Sequence, residues 1–336
     1  MTALTTISST QAITRERITG LMDAFISEQD ITPGSKATYM RSLKCYFNWI
    51  TENGLDLGSI TRAELLRYKS DLIASGRSTR TIGSYLTAVR VFYEWAEGHK
   101  LYPNIARGVK SPKEKKKFHK QPLTISQTIE FIQHFKRRSF GLADPEALQP
   151  IREADKRDYA LALLLIAVGL RTVEVIRADV QDIKYKYGRR VIMIRGKGRH
   201  NKDEALELIP EVYSAIRDYL ATRGRPSRGP LFTSLSNNGH GERLTTRTIS
   251  FIAKEGLKAI GINDPEITAH SLRHTAATNL LRAGATLQDA QGMLRHTDPA
   301  TTAIYTATIA EEKRFERTGE RILGEYYSSL MTAATI

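Results

Sequence analysis

Apolar side chains recur along the first hundred residues at the three- and four-residue spacing of helices packed on one face. Ile18, Leu21, Met22, Phe25 and Ile26 form the first stripe, and Pro33-Gly34-Ser35 breaks it. Tyr39, Leu43, Phe47 and Ile50 form the second, with Cys45 and Trp49 beside it. Thr61-Arg62-Ala63-Glu64 has the pattern of a capping box. It starts a third helix that should bury Leu65, Leu66, Tyr68 and Leu72 and stop at Gly76. A fourth begins near Ser78 and presents Ile82, Leu86, Val89 and Tyr93, with Trp95 near its end. Residues 13–107 thus predict a compact four-helix domain, and residues 1–12, small and polar, are expected to precede it as a disordered segment.

The pattern then lapses. Residues 108–122 hold Gly108, Pro112 and the run Lys113-Glu114-Lys115-Lys116-Lys117, with no apolar stripe, and read as a basic linker. Periodicity returns at Leu123. Ser126 is the expected cap of a helix carrying Ile129, Phe131, Ile132 and Phe135. Residues 137–156 are polar and assigned no function. Asp158 to Leu170 is strongly apolar and should form the centre of a second core, ended by Gly169. Arg171 then opens a short helix, at a junction whose backbone N–H groups could meet an anion. Glu174, one turn on, reads as the partner that orients Arg171.

From 180 to 209 the period changes to two. Arg190 to Ile194 and Leu206 to Ile209 read as strands flanking a basic turn that contains Gly196-Lys197-Gly198. Helices follow at Val212–Leu220 and near Thr245–Ile260, and then from His270 onward, where Leu280, Leu281, Leu287 and Met293 are the apolar positions. The last residues, 321–336, form an apolar tail with Ile322, Leu323, Tyr326, Tyr327, Leu330 and Met331.

Composition narrows the partners. Fifty Lys and Arg against 36 Asp and Glu give a formal net charge of +14, which favours a polyanion. A single cysteine, Cys45, excludes an internal disulfide framework and suits a reducing cytosol. No apolar run approaches the roughly 18 residues of a membrane span. The first residues lack the charged-then-apolar layout of a signal peptide.

The densest chemistry lies between His270 and Tyr305. His270 and Arg273, three apart, share a helix face. His270 and His274 have the spacing of a metal pair, but Ser271 stands where a zinc protease carries glutamate. Taken singly, Arg273 reads more often as a surface ion pair and Tyr305 as a core or surface aromatic.

The segments His270-Ser271-Leu272-Arg273-His274 and Met293 to Tyr305 together resemble the second signature box of the tyrosine recombinases, the lambda-integrase family. Ala167 to Glu174, with Arg171, resembles the first box, and Gly196-Lys197-Gly198 matches the family's lysine turn. The resemblance covers roughly residues 13 to 320 and points to two-domain, Xer-like members.

It implies a mainly α fold: an N-terminal four-helix core-DNA-binding domain, then a mixed α+β catalytic domain over 123–320, mostly helical with a small antiparallel sheet. It implies Arg171, Lys197, His270, Arg273, His296 and Tyr305 as the catalytic set. Arginines and histidines would hold the phosphate oxygens, His270 would take the phenol proton, Tyr305 would attack, and Lys197 would protonate the leaving oxygen. Lys202 is a rival for the last role.

No metal, cofactor or ATP is implied. The partner would be double-stranded DNA carrying paired sites, bound by a homotetramer that exchanges strands through a Holliday junction and exchanges its tails between subunits. Lys36, Arg41, Lys44 and Arg80, the linker residues Lys115 and Lys116, and Arg243 and Arg247 would contact DNA. Arg295 departs from the family pattern, which has glycine before the second histidine, and is expected to reach outward to DNA or to an acidic neighbour. Two other functions fit parts of the pattern: a type IB topoisomerase-like nicking-closing enzyme, and a DNA-binding protein without catalysis.

Overall fold

In a computed structural model, the described residues are 15–112, 121–141, 153–196, 201–295 and 318–333, with 305, 306, 309, 310, 312, 314 and 315. They fall into two units that divide between residues 117 and 118.

The first unit has helices α1 (Arg15–Glu28), α2 (Pro33–Glu52), α3 (Arg62–Ala74) and α4 (Thr79–Gly98). Their starts are local chemistry. The Thr61 hydroxyl accepts from the Ala63 N–H at 3.1 Å, while Glu64 accepts from the Thr61 N–H at 2.8 Å. Thr32 and Ser78 accept backbone N–H groups at the starts of α2 and α4. The stripes meet in a core that includes Phe25, Leu43, Phe47, Leu65, Leu72, Leu86 and Phe92. Burying each such side chain contributes about 1.5–3 kcal/mol. The Tyr46 and Tyr93 hydroxyls lie 2.8 Å apart within it, each satisfying the other. Leu66 is 43% exposed, contrary to the expectation. It lies off the face shared by Leu65, Tyr68 and Leu72, which follow the three- and four-residue rhythm.

The second unit has α5 (Ile125–Ser139), α6 (Glu153–Ile166), α7 (Thr172–Arg177), β1 (Ile183–Lys186), β2 (Arg189–Ile194), β3 (Glu204–Glu207), α8 (Pro210–Thr222), α9 (Thr246–Ala259), α10 (Ala269–Arg282), α11 (Leu287–Leu294) and α12 (Gly319–Ala333). The cap of α5 is Thr124, not Ser126: Thr124 and Gln127 exchange side chain-to-backbone bonds at 3.2 and 3.0 Å. Ile129 is 49% exposed for the same reason as Leu66, since Phe131 and Phe135 define the buried face. Apolar on all sides from Ala160 to Ile166, α6 packs against α5, α8 and α10.

The sheet is antiparallel in the order β1-β2-β3. Ile183 and Leu206 both pair with Ile192, which is fully buried. Ile183-Lys184-Tyr185-Lys186 alternates apolar and polar residues, but the strand is short and only its first residue is partly buried, so β1 does not stand out in the sequence. Thr286 caps α11, which is thereby separate from α10. Among the described residues no helix is long and apolar enough to cross a membrane.

Candidate active site

Gly169, in the left-handed region with φ +66°, turns the chain out of α6 and into Arg171 at the start of α7. Glu174 lies one turn further and is almost fully buried. One carboxylate oxygen accepts from Arg171 Nη1 at 2.7 Å. The other accepts from the Arg171 backbone N–H and from Arg295 Nη2, both at 2.7 Å. The N–H group expected to be available to an anion is therefore occupied by Glu174. Arg273 Nη1 stands 3.8 Å from the same oxygen, so three guanidinium groups surround one buried carboxylate.

Arg273 comes from α10 and is 2% exposed. Its Nη1 donates to the Gly169 carbonyl at 2.5 Å, and its Nη2 donates to the Leu294 carbonyl. Burial, and then the charge of Arg171, lower its pKa from the ordinary arginine value, while Glu174 opposes them. The group remains charged at neutral pH.

Tyr305 is 2% exposed and packs in a small cluster with Ala277 and Leu294, flanked by Leu281 and Met293. Burial pushes its hydroxyl up to about 12, against the pull of Arg273 and Arg171. Beside it lies His274, with ring centroids 5.3 Å apart. The exposed His270 meets His274 edge to face at 4.8 Å. Arg171, Arg273, His270 and Tyr305 are thus gathered from α7, α10 and the segment beyond α11.

Sequence reasoning assigned no role to His274, whose signal was its four-residue offset from His270. It left Arg295 open between DNA and an acidic neighbour. The side chain turns inward to Glu174 and Glu204.

Lys197 and His296 lie outside the described residues, as do Lys115 and Lys116. Lys202, the rival lysine, is paired with Asp179 at 2.7 Å and also with Asp182. Burial would lower the pKa of Lys202, but these carboxylates outweigh it and raise the group above its ordinary value.

Arg243 donates to the carbonyls of Ile176 and Ala178 at 2.6 and 3.0 Å and pairs with Asp179. Its guanidinium is held by groups of its own unit, while the side chain stays 38% exposed. Arg247 is exposed on α9. In the first unit Arg41 and Lys44 on α2 and Arg80 on α4 are exposed, and Lys36 is half-buried.

Residues 144–312 match the model of the phage integrase family, and residues 18–100 match that of the phage integrase N-terminal SAM-like domain. The chain is 30% identical over 282 residues to a tyrosine recombinase XerC of Herpetosiphon aurantiacus, covering 83% of this chain and 86% of that one. It is 29% identical over 285 residues to a tyrosine recombinase XerD of Staphylococcus epidermidis, covering 83% and 89%. The fold resembles that of the XerH site-specific recombinase in a post-cleavage complex with palindromic difH substrate. There the TM-score is 0.68 at 18% identity, over 89% of this chain and 83% of that one. The chain belongs to the phage integrase family. It is a tyrosine recombinase, of the class that cleaves and rejoins DNA site-specifically.

Proposed function

We propose that this recombinase breaks and rejoins DNA through a 3′-phosphotyrosine on Tyr305. Arg171 and Arg273 hold the non-bridging oxygens of the scissile phosphate with permanently charged, forked donors. His270 and His296 add hydrogen bonds to the same oxygens. His270 takes the phenol proton, its ordinary pKa near 6.5 suiting a base at neutral pH. The Tyr305 oxygen attacks phosphorus, a phosphorus–oxygen bond to the phenol forms, and the bond to the 5′-oxygen breaks. Lys197 gives that oxygen its proton. Attack by a 5′-hydroxyl from a partner strand reverses the sequence, so the linkage conserves the bond energy and no nucleotide is consumed.

The observation that carries this reading is the gathering of Arg171, Arg273 and Tyr305, with both arginines drawing the buried phenol toward ionisation. Tyr305 must leave its cluster with Ala277 and Leu294 to reach a phosphate. We extend the reading to partners. The domains are 13–107 for core DNA binding, 108–122 as linker, 123–320 for catalysis and 321–336 as tail. Two DNA sites are held by a tetramer working through a Holliday junction in the cytoplasm, on the nucleoid. Ile322, Leu323, Tyr326, Tyr327, Leu330 and Met331 on α12 are 47–73% exposed, an apolar set suited to a neighbouring subunit.

The test is a labelled, nicked suicide duplex taken from the DNA flanking the gene, with the wild type and Tyr305→Phe run on a denaturing gel. A protein-linked band with wild type alone is the expected result. A band of equal strength from Tyr305→Phe would overturn the nucleophile assignment. Relaxation of supercoils without recombinant products would favour the nicking-closing alternative.

A further inference from the structure

Arg295 sits at the C-terminal cap of α11 with φ 53° and ψ 48°, the left-handed conformation that glycine adopts freely and a β-carbon makes unfavourable. A side chain held there needs surroundings that fix it. Its side chain is 10% exposed and turns into its own unit. Nη2 donates to Glu174 at 2.7 Å, Nη1 donates to the Met293 carbonyl at 2.9 Å, and Nε makes an ion-pair contact with Glu204 at 3.1 Å that is not aligned as a hydrogen bond. Glu174 and Glu204 belong to different elements. Glu174 is the carboxylate on α7 that binds Arg171 twice. Glu204 opens β3, and a β-carbon on Gly196, the residue before Lys197, would stand 2.9 Å from its carboxylate.

We propose that Arg295 is a positioning residue of the strand-cleavage site, a clamp through Glu174 and Glu204 that ties the Arg171 helix, the foot of the β2–β3 connection and the end of α11 together. This rests on the catalytic reading above. Through Glu174 it sets where Arg171 points. Through Glu204 it holds the strand that follows the Gly196-Lys197-Gly198 segment. From its own place in the chain it leads directly into His296.

The clamp also sets the charge of the site. Arg171, Arg273 and Arg295 carry three positive charges, and Glu174 and Glu204 two negative ones, leaving one in excess for a phosphodiester. Without Arg295 the balance falls to zero, in a buried setting where one charge weighs heavily.

Arg295→Gly separates this role from that of a helix cap. Glycine relieves the left-handed backbone, so a residue that only capped α11 would be replaced without loss. The proposal expects Arg295→Gly, which exchanges left-handed backbone strain for the loss of two ion pairs, to stay folded with one cooperative melt and to bind the duplex within about twofold, yet to form the covalent adduct at least about tenfold more slowly. Adding Glu204→Gln restores one excess positive charge, since Arg171 and Arg273 then face Glu174 alone. That double variant should form adduct at least about threefold faster than Arg295→Gly. A wild-type adduct rate in Arg295→Gly, or a double variant no faster than the single, would overturn the clamp. Wild type runs alongside, and absence of its adduct would count against the Tyr305 reading instead.

Discussion

Arg273 Nη1 donates to the carbonyl oxygen of Gly169 at 2.5 Å, while its other arm reaches the carbonyl of Leu294 at the end of α11. A buried cation thus spans two helix C-terminal ends, where the partial negative charge of unpaired carbonyls favours it. The position of Arg273 is set by the backbone around Gly169 as much as by α10.

Gly169→Ala should therefore damage both fold and chemistry. The backbone there has φ +66°, and a β-carbon would stand 3.1 Å from Met293 Cε and 3.4 Å from Ala276. A left-handed non-glycine residue costs roughly 1–2 kcal/mol. For a unit of this size that lowers the melting temperature by about 2–8 °C. Thermal melting checks the first effect and adduct formation the second. A variant that melts and cleaves as wild type would show that Arg273 does not depend on this turn.

Tyr305 predicts a stability that changes at high pH. Burial raises its hydroxyl from 10 to about 12. The folded state therefore favours the neutral phenol. The stabilisation is complete below pH 10 and is lost as pH rises through about 12. The difference corresponds to an order of magnitude of about 3 kcal/mol. Denaturant melts of wild type and Tyr305→Phe across pH 9 to 12 should run parallel below pH 10 and diverge above it, with wild type falling faster. Curves that stay parallel throughout would mean the phenol is solvated.

The two lysines of the β2–β3 connection should separate cleanly. Lys202 is held by Asp179 and Asp182, so Lys202→Met should lower stability and leave the leaving-group step intact. Lys197→Ala should block cleavage of an ordinary duplex and recover on one with a bridging 5′-thiolate, which leaves without a proton. Rescue of Lys202→Met by that substrate, and not of Lys197→Ala, would reverse the assignment.

Arg41 and Lys44 share one face of α2 and are exposed. If both touch phosphates, replacing them with alanine should weaken binding alike on all sequences. It should also reduce the slope of log affinity against log salt by about 1.8, from about 0.9 per contact. A fluorescence titration at several salt concentrations measures this, and an unchanged slope would place the DNA elsewhere.

Removing residues 319–336 takes away α12 and its exposed apolar side chains. The truncated protein should still bind one site and form adduct, but should not assemble two sites into a synaptic complex. Gel mobility with a two-site DNA checks this. Normal assembly would show that the tail does not link subunits.

Much of the molecule was legible because the deciding interactions are close in sequence. The stripes of α2 and α4, the capping box at Thr61 and the apolar run of α6 all follow from contacts within a turn or two. The spacing of His270 and Arg273 did the same for one wall of the site. β1 escaped because a short alternation with one partly buried residue is too brief to separate from a loop. Leu66 was misplaced because an apolar residue next to a stripe is indistinguishable from one within it until the packing face is known.

By itself, then, the sequence determined the helices, the two-part division and which side chains could carry charge to a phosphate. Only the tertiary structure decided where those charges go. Arg295 and Glu174 meet across 121 positions, Arg273 and Gly169 across 104, and Arg243 and Asp179 across 64. No local pattern records such pairings. A guanidinium on a helix face reads the same whether it points to solvent, to DNA or to a buried carboxylate. Its direction is fixed by which unsatisfied carbonyls and carboxylates the folded chain brings within reach, since a buried polar group without a partner is the costlier outcome.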